Sequence, residues 1–225
     1  MARTCSRSVD FRKLEARGKT GATVIRLMMA ANDLGFSNEA LGIHETRTSA
    51  AGPDRQDAAR RYFLRLQLSH LRQGMKVIGH FKNDPNLVAQ LSKCNARTQE
   101  NFERLCQLLP GGNQHKEFAR LVKGVRDNVT FHYDETHQHT EWAIRDRASR
   151  PEKYLSSVTR GDHRSLWLFK AADEIVDSIV VRKIWGIPWS AEQHQELRKT
   201  EDQLFQMVFA FVDFVGEFVW KFLEG

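Results

Sequence analysis

Cysteine is scarce: the 225 residues include 3, Cys5, Cys94 and Cys106, an odd number at irregular spacing with no Cys-x-x-Cys pair. That pattern argues against a disulfide framework or a cysteine-based zinc site and fits a reducing compartment, so a cytoplasmic location is expected. Proline is sparse as well, at 5 residues. No segment shows the period-two alternation of a strand, and no internal repeat is visible. Residues 1–19 lack the apolar core of a signal peptide and carry Arg3, Arg7, Arg12, Lys13, Arg17 and Lys19, which reads as a basic flexible arm. Gly18, Lys19 and Thr20 match the end of a phosphate-binding loop, but the glycine needed five residues earlier is Lys13 and no strand precedes it. That nucleotide-binding class is set aside.

What is present is helical pattern. A hydrophobic fraction of 41% supplies a core, and a net charge of +6 favours anionic partners such as nucleic acid. Residues 24–34 read as a short helix stopped by Gly35, followed by a loop or linker at 37–53 rich in Gly, Ser, Thr and Ala. A long helix is expected over 54–82, with Leu64, Leu68, Leu71, Met75 and Ile78 at alternating four and three spacing. Its basic residues, among them Arg60, Arg61 and Arg65, form either a solvated face or a surface for phosphates. Asp84 and Pro85 are an N-cap and first helical residue. They open a helix that runs to the stop at Pro110, Gly111 and Gly112. A third helix is expected from Asn113 to about Gln138, and helical pattern returns over 166–185.

Ser190 and Gln193 make a capping box for the last helix, which ends in an apolar run containing Phe205, Phe209, Phe211, Phe214, Phe218, Trp220 and Phe222. Its length suits a membrane span. Asp213, Glu217 and Lys221 recur at four-residue spacing and mark a polar face, so a core or oligomer helix is expected and no membrane partner. The fold class is therefore all-α, an antiparallel helical bundle with residues 20–225 as one domain and an extra aromatic-rich C-terminal helix.

Chemistry concentrates in the third helix, from Arg126 to Asp134. At about 100° per residue, Phe118, Leu121, Val122, Val125, Val129 and His132 fall within roughly 60° of one direction. Asn128 sits at the edge of that face, and Arg126 lies about 120° from His132 by the same projection. A histidine among apolar neighbours is either structural, satisfied by one hydrogen bond, or a proton-transfer group with an unperturbed pKa of about 6.5.

An Arg, a following polar residue and a His a few positions on resembles the signature of the HEPN superfamily of helical proteins. Here it is Arg126 and Asp127 followed by His132, with Asn128 an equal candidate for the polar position, and Tyr133 and Asp134 resemble the abortive-infection branch. The resemblance implies metal-independent RNA cleavage without a cofactor, in which the ribose 2′-hydroxyl attacks the adjacent phosphodiester. His132 would transfer protons, Arg126 would hold the phosphate, and Asp127 or Asn128 would orient the imidazole or the ribose. It further implies a homodimer that pairs two such motifs across one cleft, and a defence or toxin–antitoxin setting with an antitoxin or other protein partner. The basic stretch from residue 145 to 164 would add phosphate contacts through Arg145, Arg147 and Arg150, with Tyr133 beside the substrate.

Two rival readings stand beside it. One is a HEPN-like helical module without catalysis that binds RNA or a protein partner. The other is a metal site from His132, His137 and His139 with Asp134 and Glu135, although His132 and His137 would be about 140° apart on a continuous helix.

Overall fold

The computed structural model describes residues 5–46, 53–125, 127, 136–160, 168–190 and 192–224. In chain order the elements are α1 (Phe11–Ala16), α2 (Gly18–Thr46), α3 (Pro53–Lys82), α4 (Pro85–Leu91), α5 (Ala96–Leu108), α6 (His115–Phe118), a π-helical turn π1 (Ala119–Lys123), α7 (Gln138–Ala148), α8 (Lys170–Asp177), a second π-helical stretch π2 (Ser178–Ile184) and α9 (Gln193–Phe222). The protein is all-α. Among the described residues the one pairing of extended backbone is an isolated antiparallel bridge, Thr159 to Leu168, closed at 2.7 and 3.0 Å.

The chain forms two compact units that interleave in sequence, where the pattern suggested one domain over 20–225. The first comprises Met1–Gly35, His70–Lys116 and Phe205–Gly225, the second Phe36–Ser69 and Glu117–Leu204. In the first unit a cluster of phenylalanines sits within an otherwise aliphatic core. Phe81 meets Phe102, Phe214 and Phe218 at ring-centroid distances of 4.9, 5.4 and 4.7 Å. Phe211 is fully buried over Gly74, where a Cβ would come within 2.7 Å of its ring. The absent side chain lets α3 and α9 approach there. By length and composition α9 is the one helix among the described residues that could cross a membrane. Its aromatic face lies in this core, and Asp213 on another face pairs with Arg97 at 2.7 Å.

Five expectations about local structure are corrected. The N-terminal arm is docked: Asp10 caps α1 by accepting from the Arg12 N–H at 3.0 Å, and Leu14 is buried. Arg7 stacks over Trp220 at 4.0 Å, donates to its carbonyl at 3.0 Å and pairs with Glu224 at 2.9 Å, while Arg17 lies 4.3 Å over Phe222. Cation–π contact and charge pairing thus hold Arg7 and Arg17 down, while Arg12 stays exposed.

The expected loop at 37–53 is helical through Thr46. Leu34, Ser37 and Leu41 are buried at helical spacing along α2, and Asn38 accepts from Gln67 at 3.2 Å. Burial of that stripe offsets the cost of about 1 kcal/mol for each of Gly35 and Gly42 in a helix interior.

The helix expected from Pro85 to Pro110 is two helices. Asn95 starts the second, accepting from the N–H and hydroxyl of Thr98 at 2.9 and 3.0 Å, after a turn at 92–95. Asp84 does cap α4, and its other oxygen accepts from the Thr20 hydroxyl at 2.7 Å, which ties α2 to the cap. The third helix is not continuous to Gln138 either. It changes to π geometry at Ala119, and His137 stands in the left-handed region at φ 61° directly before α7. A residue there ends any helix entering from the N-terminal side. The last helix opens at Gln193, two residues later than the capping box at Ser190 implied, with the Gln193 N–H on the Ser190 carbonyl at 3.2 Å.

Candidate functional site

The second unit is built around two π-helical stretches. In π1 the Gly124 N–H donates to the Ala119 carbonyl, and after π2 the Trp185 N–H donates to Val180 at 2.9 Å. Both are five-residue steps, a geometry that often marks functional positions in helices. The stretches lock together: the buried Trp185 indole donates to the Leu121 carbonyl at 3.0 Å, and Arg120 donates to the Trp185 carbonyl. Phe118, Leu121, Val122 and Val125 are all buried, as the apolar stripe predicted. The projection of later residues at a constant 100° does not carry through the π turn, which takes more residues per turn.

Arg126, Asn128, His132 and Tyr133 lie outside the described residues, as do Asp134 and Glu135. Asp127 is half-buried and engaged by neighbouring groups. Arg145 lies on the exposed face of α7 with a long 3.4 Å contact to the Glu141 carbonyl. Arg147 is 11% exposed and pairs with Glu174 at 2.7 Å. Arg150 pairs with Asp146 at 3.3 Å and lies 5.3 Å over the Trp189 ring. The structure therefore brings Arg147 and Arg150 to one region, each already holding a carboxylate.

That region is organised by Asp146, which is 10% exposed. It accepts two hydrogen bonds from Arg182, at 2.8 and 3.1 Å, one from the Trp189 indole at 3.2 Å and one from Arg150. Burial pushes its carboxyl pKa up, but the donors outweigh burial and hold it below the ordinary carboxylate range. Trp189 is thereby fixed edge-on to Asp146, with Arg150, Lys153 and Arg182 at 5.3, 5.5 and 5.5 Å from its ring centre. The indole is a flat platform ringed by cations.

A cleft of about 450 Å³ opens beside this platform, with five basic side chains on its walls (Arg60, Arg61, Arg147, Lys153 and Arg182) against three acidic ones, Asp57, Glu174 and Asp177. Arg61 reaches Asp177 at 3.2 Å and Arg60 reaches Glu201 at 3.1 Å. Asp177 lines the cleft with 38% of its side-chain surface accessible. The surrounding protein still pushes its pKa up to about 6 by desolvation, against the pull of Arg61, Arg65 and Arg147 and with help from Asp173. An excess of cations, an aromatic plane and a carboxylate that takes a proton near neutrality suit an anionic ligand.

Sequence reading put Arg147, Arg150 and Lys153 in a basic stretch and offered Arg60 and Arg61 as phosphate contacts, but it missed Trp189 and Arg182. The signal for them was the Trp-Gly-Ile-Pro-Trp break at 185–189 after Arg182 and Lys183. As for metal, His137 is exposed and His139 half-buried, and no group of three potential ligands occurs among the described residues. No protein-family model, curated protein or solved structure matches the chain.

Proposed function

We propose that the protein acts on RNA, as a metal-independent endoribonuclease of the HEPN kind whose active site is shared by two copies of the chain. The observation that carries this reading is the cationic cleft beside the Trp189 platform. It offers guanidinium groups to phosphates and a ring face to a base, the two interactions that single-stranded RNA requires. The Arg126 to His132 motif supplies the chemistry: His132 moves the proton between the 2′-hydroxyl and the leaving 5′-oxygen, and Arg126 steadies the pentavalent phosphate. Asp127 or Asn128 orients the reacting groups. One motif holds one histidine, so a homodimer completes the acid and base pair. The setting that fits is a cytoplasmic defence or toxin–antitoxin system in which a partner masks the cleft.

The test is cleavage of single-stranded RNA in excess EDTA. Wild-type protein cleaves, while His132→Ala and Arg126→Ala lose cleavage and keep the fold and the dimer. Unchanged cleavage in both variants sinks the mechanism. A second reading is favoured by the carboxylate partners that already hold Arg147, Arg150 and Arg182: the cleft then binds RNA without cutting it. In that case wild-type protein binds RNA with a strong salt dependence and releases no product.

A further inference from the structure

A second cavity, of about 520 Å³, lies in the same unit between α7, α8 and the segment at 153–156. That volume is within the range of small-molecule sites. Its walls are aliphatic, from Ile144, Ile175, Val176 and Ile179, and the space exists because the facing positions are Ala148, Ala171 and Ala172. The pocket is a groove open to solvent, with Ala148 and Ala172 exposed at its mouth. Ile144 and Tyr154, both lining residues, are 52% and 59% exposed, so large apolar surface faces the opening uncovered.

The charges on the rim specify the occupant further. Arg147 lines the cavity, but its charge is matched by Glu174 at 2.7 Å. Lys153 also lines it and is half-buried, with the Trp189 ring as its recorded contact and no carboxylate within ion-pair distance among the described residues. Among the described residues the rim thus carries one net positive charge above an apolar groove. A neutral apolar occupant would cover the aliphatic walls and leave the ammonium without a counter-charge.

We propose that this cavity binds a small amphipathic anion, with its apolar body against Ile144, Ile175 and Ile179 and a single carboxylate or phosphate head on Lys153. The site shares Arg147 and Lys153 with the wall of the cationic cleft, and the proposal stands whether or not the chain cuts RNA. The probes are decanoate, decyl phosphate and decanol, each below its micellar concentration, measured by titration calorimetry on the full chain. Decanoate and decyl phosphate bind with one-to-one stoichiometry, and their ratio of affinities tells which head the site prefers. Decanol binds at least about ten-fold more weakly, a difference of about 1.4 kcal/mol.

Lys153→Gln lowers decanoate affinity by about ten-fold and leaves decanol binding unchanged, a split that loss of structure could not produce. Ala171→Trp fills the chamber and abolishes binding of all three probes. Ala172→Phe, at the exposed mouth, does the same without the risk to folding of the deeper change. Decanol binding as well as decanoate, several decanoates per chain, unaltered affinity in Lys153→Gln, or no binding of any probe each overturns the proposal.

Discussion

The Trp185 indole N–H donates to the Leu121 carbonyl at 3.0 Å, and through this bond the two π-helical stretches hold each other. Arg120 closes the link from the other side by donating to the Trp185 carbonyl, and it is itself held by Glu117. Hydrogen bonding to Arg120 keeps the Glu117 carboxyl below its ordinary range despite some burial. The last described helical turn before the motif is thus fixed by a tryptophan sixty-four residues further along the chain. Trp185→Phe keeps much of the packing and removes the donor, leaving the Leu121 carbonyl buried without it. The expected loss is about 1–2 kcal/mol of unfolding free energy, read from the urea midpoint. A variant as stable as wild type would show that the bond carries no weight.

Gly124 sits under Ile184, where an added Cβ would lie 2.7 Å from the Ile184 Cγ2 atom. Its backbone is ordinary right-handed helix at φ −59°, so conformation alone would favour alanine by up to about 1 kcal/mol. The clash wins, because the obstructing atom is the branch of a β-branched side chain next to its own backbone and cannot swing away. Gly124→Ala should destabilise by about 1–3 kcal/mol. In the background of Ile184→Ala, which removes the obstructing methyl, the same change should be neutral or stabilising. A double-mutant cycle measures this; additive effects would contradict the contact.

These two contacts also show where sequence reading stops. Helix α3 and the cap at Asp84 were legible because propensity, apolar spacing and a capping residue agree there. The buried residues Phe118, Leu121, Val122 and Val125 were legible for the same reason. The π turn was not, since the Trp185 that bonds to it on both sides comes from a distant position, and periodicity at 100° assumes the turn away. Helix α2 beyond Gly35 was missed because Gly, Ser and Thr speak against helix locally while burial of Ser37 and Leu41 decides for it. The docked arm needed knowledge of where Trp220, Phe222 and Glu224 fall. At the candidate site, the basic residues 147, 150 and 153 were visible as a run. Glu174, which claims Arg147, and the Trp189 ring come from later in the chain and carried no mark in sequence spacing; Asp146, which claims Arg150, stands four residues before it and is the one partner that spacing could have offered.

Asp146 is the counter-charge for Arg182 and Arg150 and the acceptor for Trp189. Asp146→Ala leaves two partly buried guanidinium groups and an indole without it, so the expected loss is about 3–5 kcal/mol at pH 7. The pH dependence follows from its lowered pKa in the folded state. The group adds stability that is fully present above its unfolded value of about 3.9 and is lost as the pH falls through the lower folded value. Urea midpoints of wild type and Asp146→Asn should therefore converge below pH 4. Parallel curves down to pH 3 would contradict the assignment.

Asp177 works in the opposite sense. Its pKa is raised to about 6 in the folded protein against about 3.9 unfolded, so the native state binds the proton more tightly. Stability from this group is greatest at low pH, declines as the pH rises from about 4 through 6, and the full penalty is present above that. Arg61, Arg65 and Arg147 draw its pKa down and Asp173 raises it, with Arg60, Arg182, Asp57, Glu174 and His194 also on the cleft wall. Protonation of Asp177 removes a negative charge from a cleft that already has more cations than anions. Phosphate-bearing ligands should consequently bind more tightly at pH 5.5 than at pH 7.5, and Asp177→Asn should hold the tighter affinity at both values. Fluorescence anisotropy with a short labelled single-stranded RNA at fixed salt measures this. Groups other than Asp177 are the same in both proteins, so the informative quantity is the difference between them. Equal pH slopes in wild type and Asp177→Asn would remove Asp177 from the cleft's electrostatics.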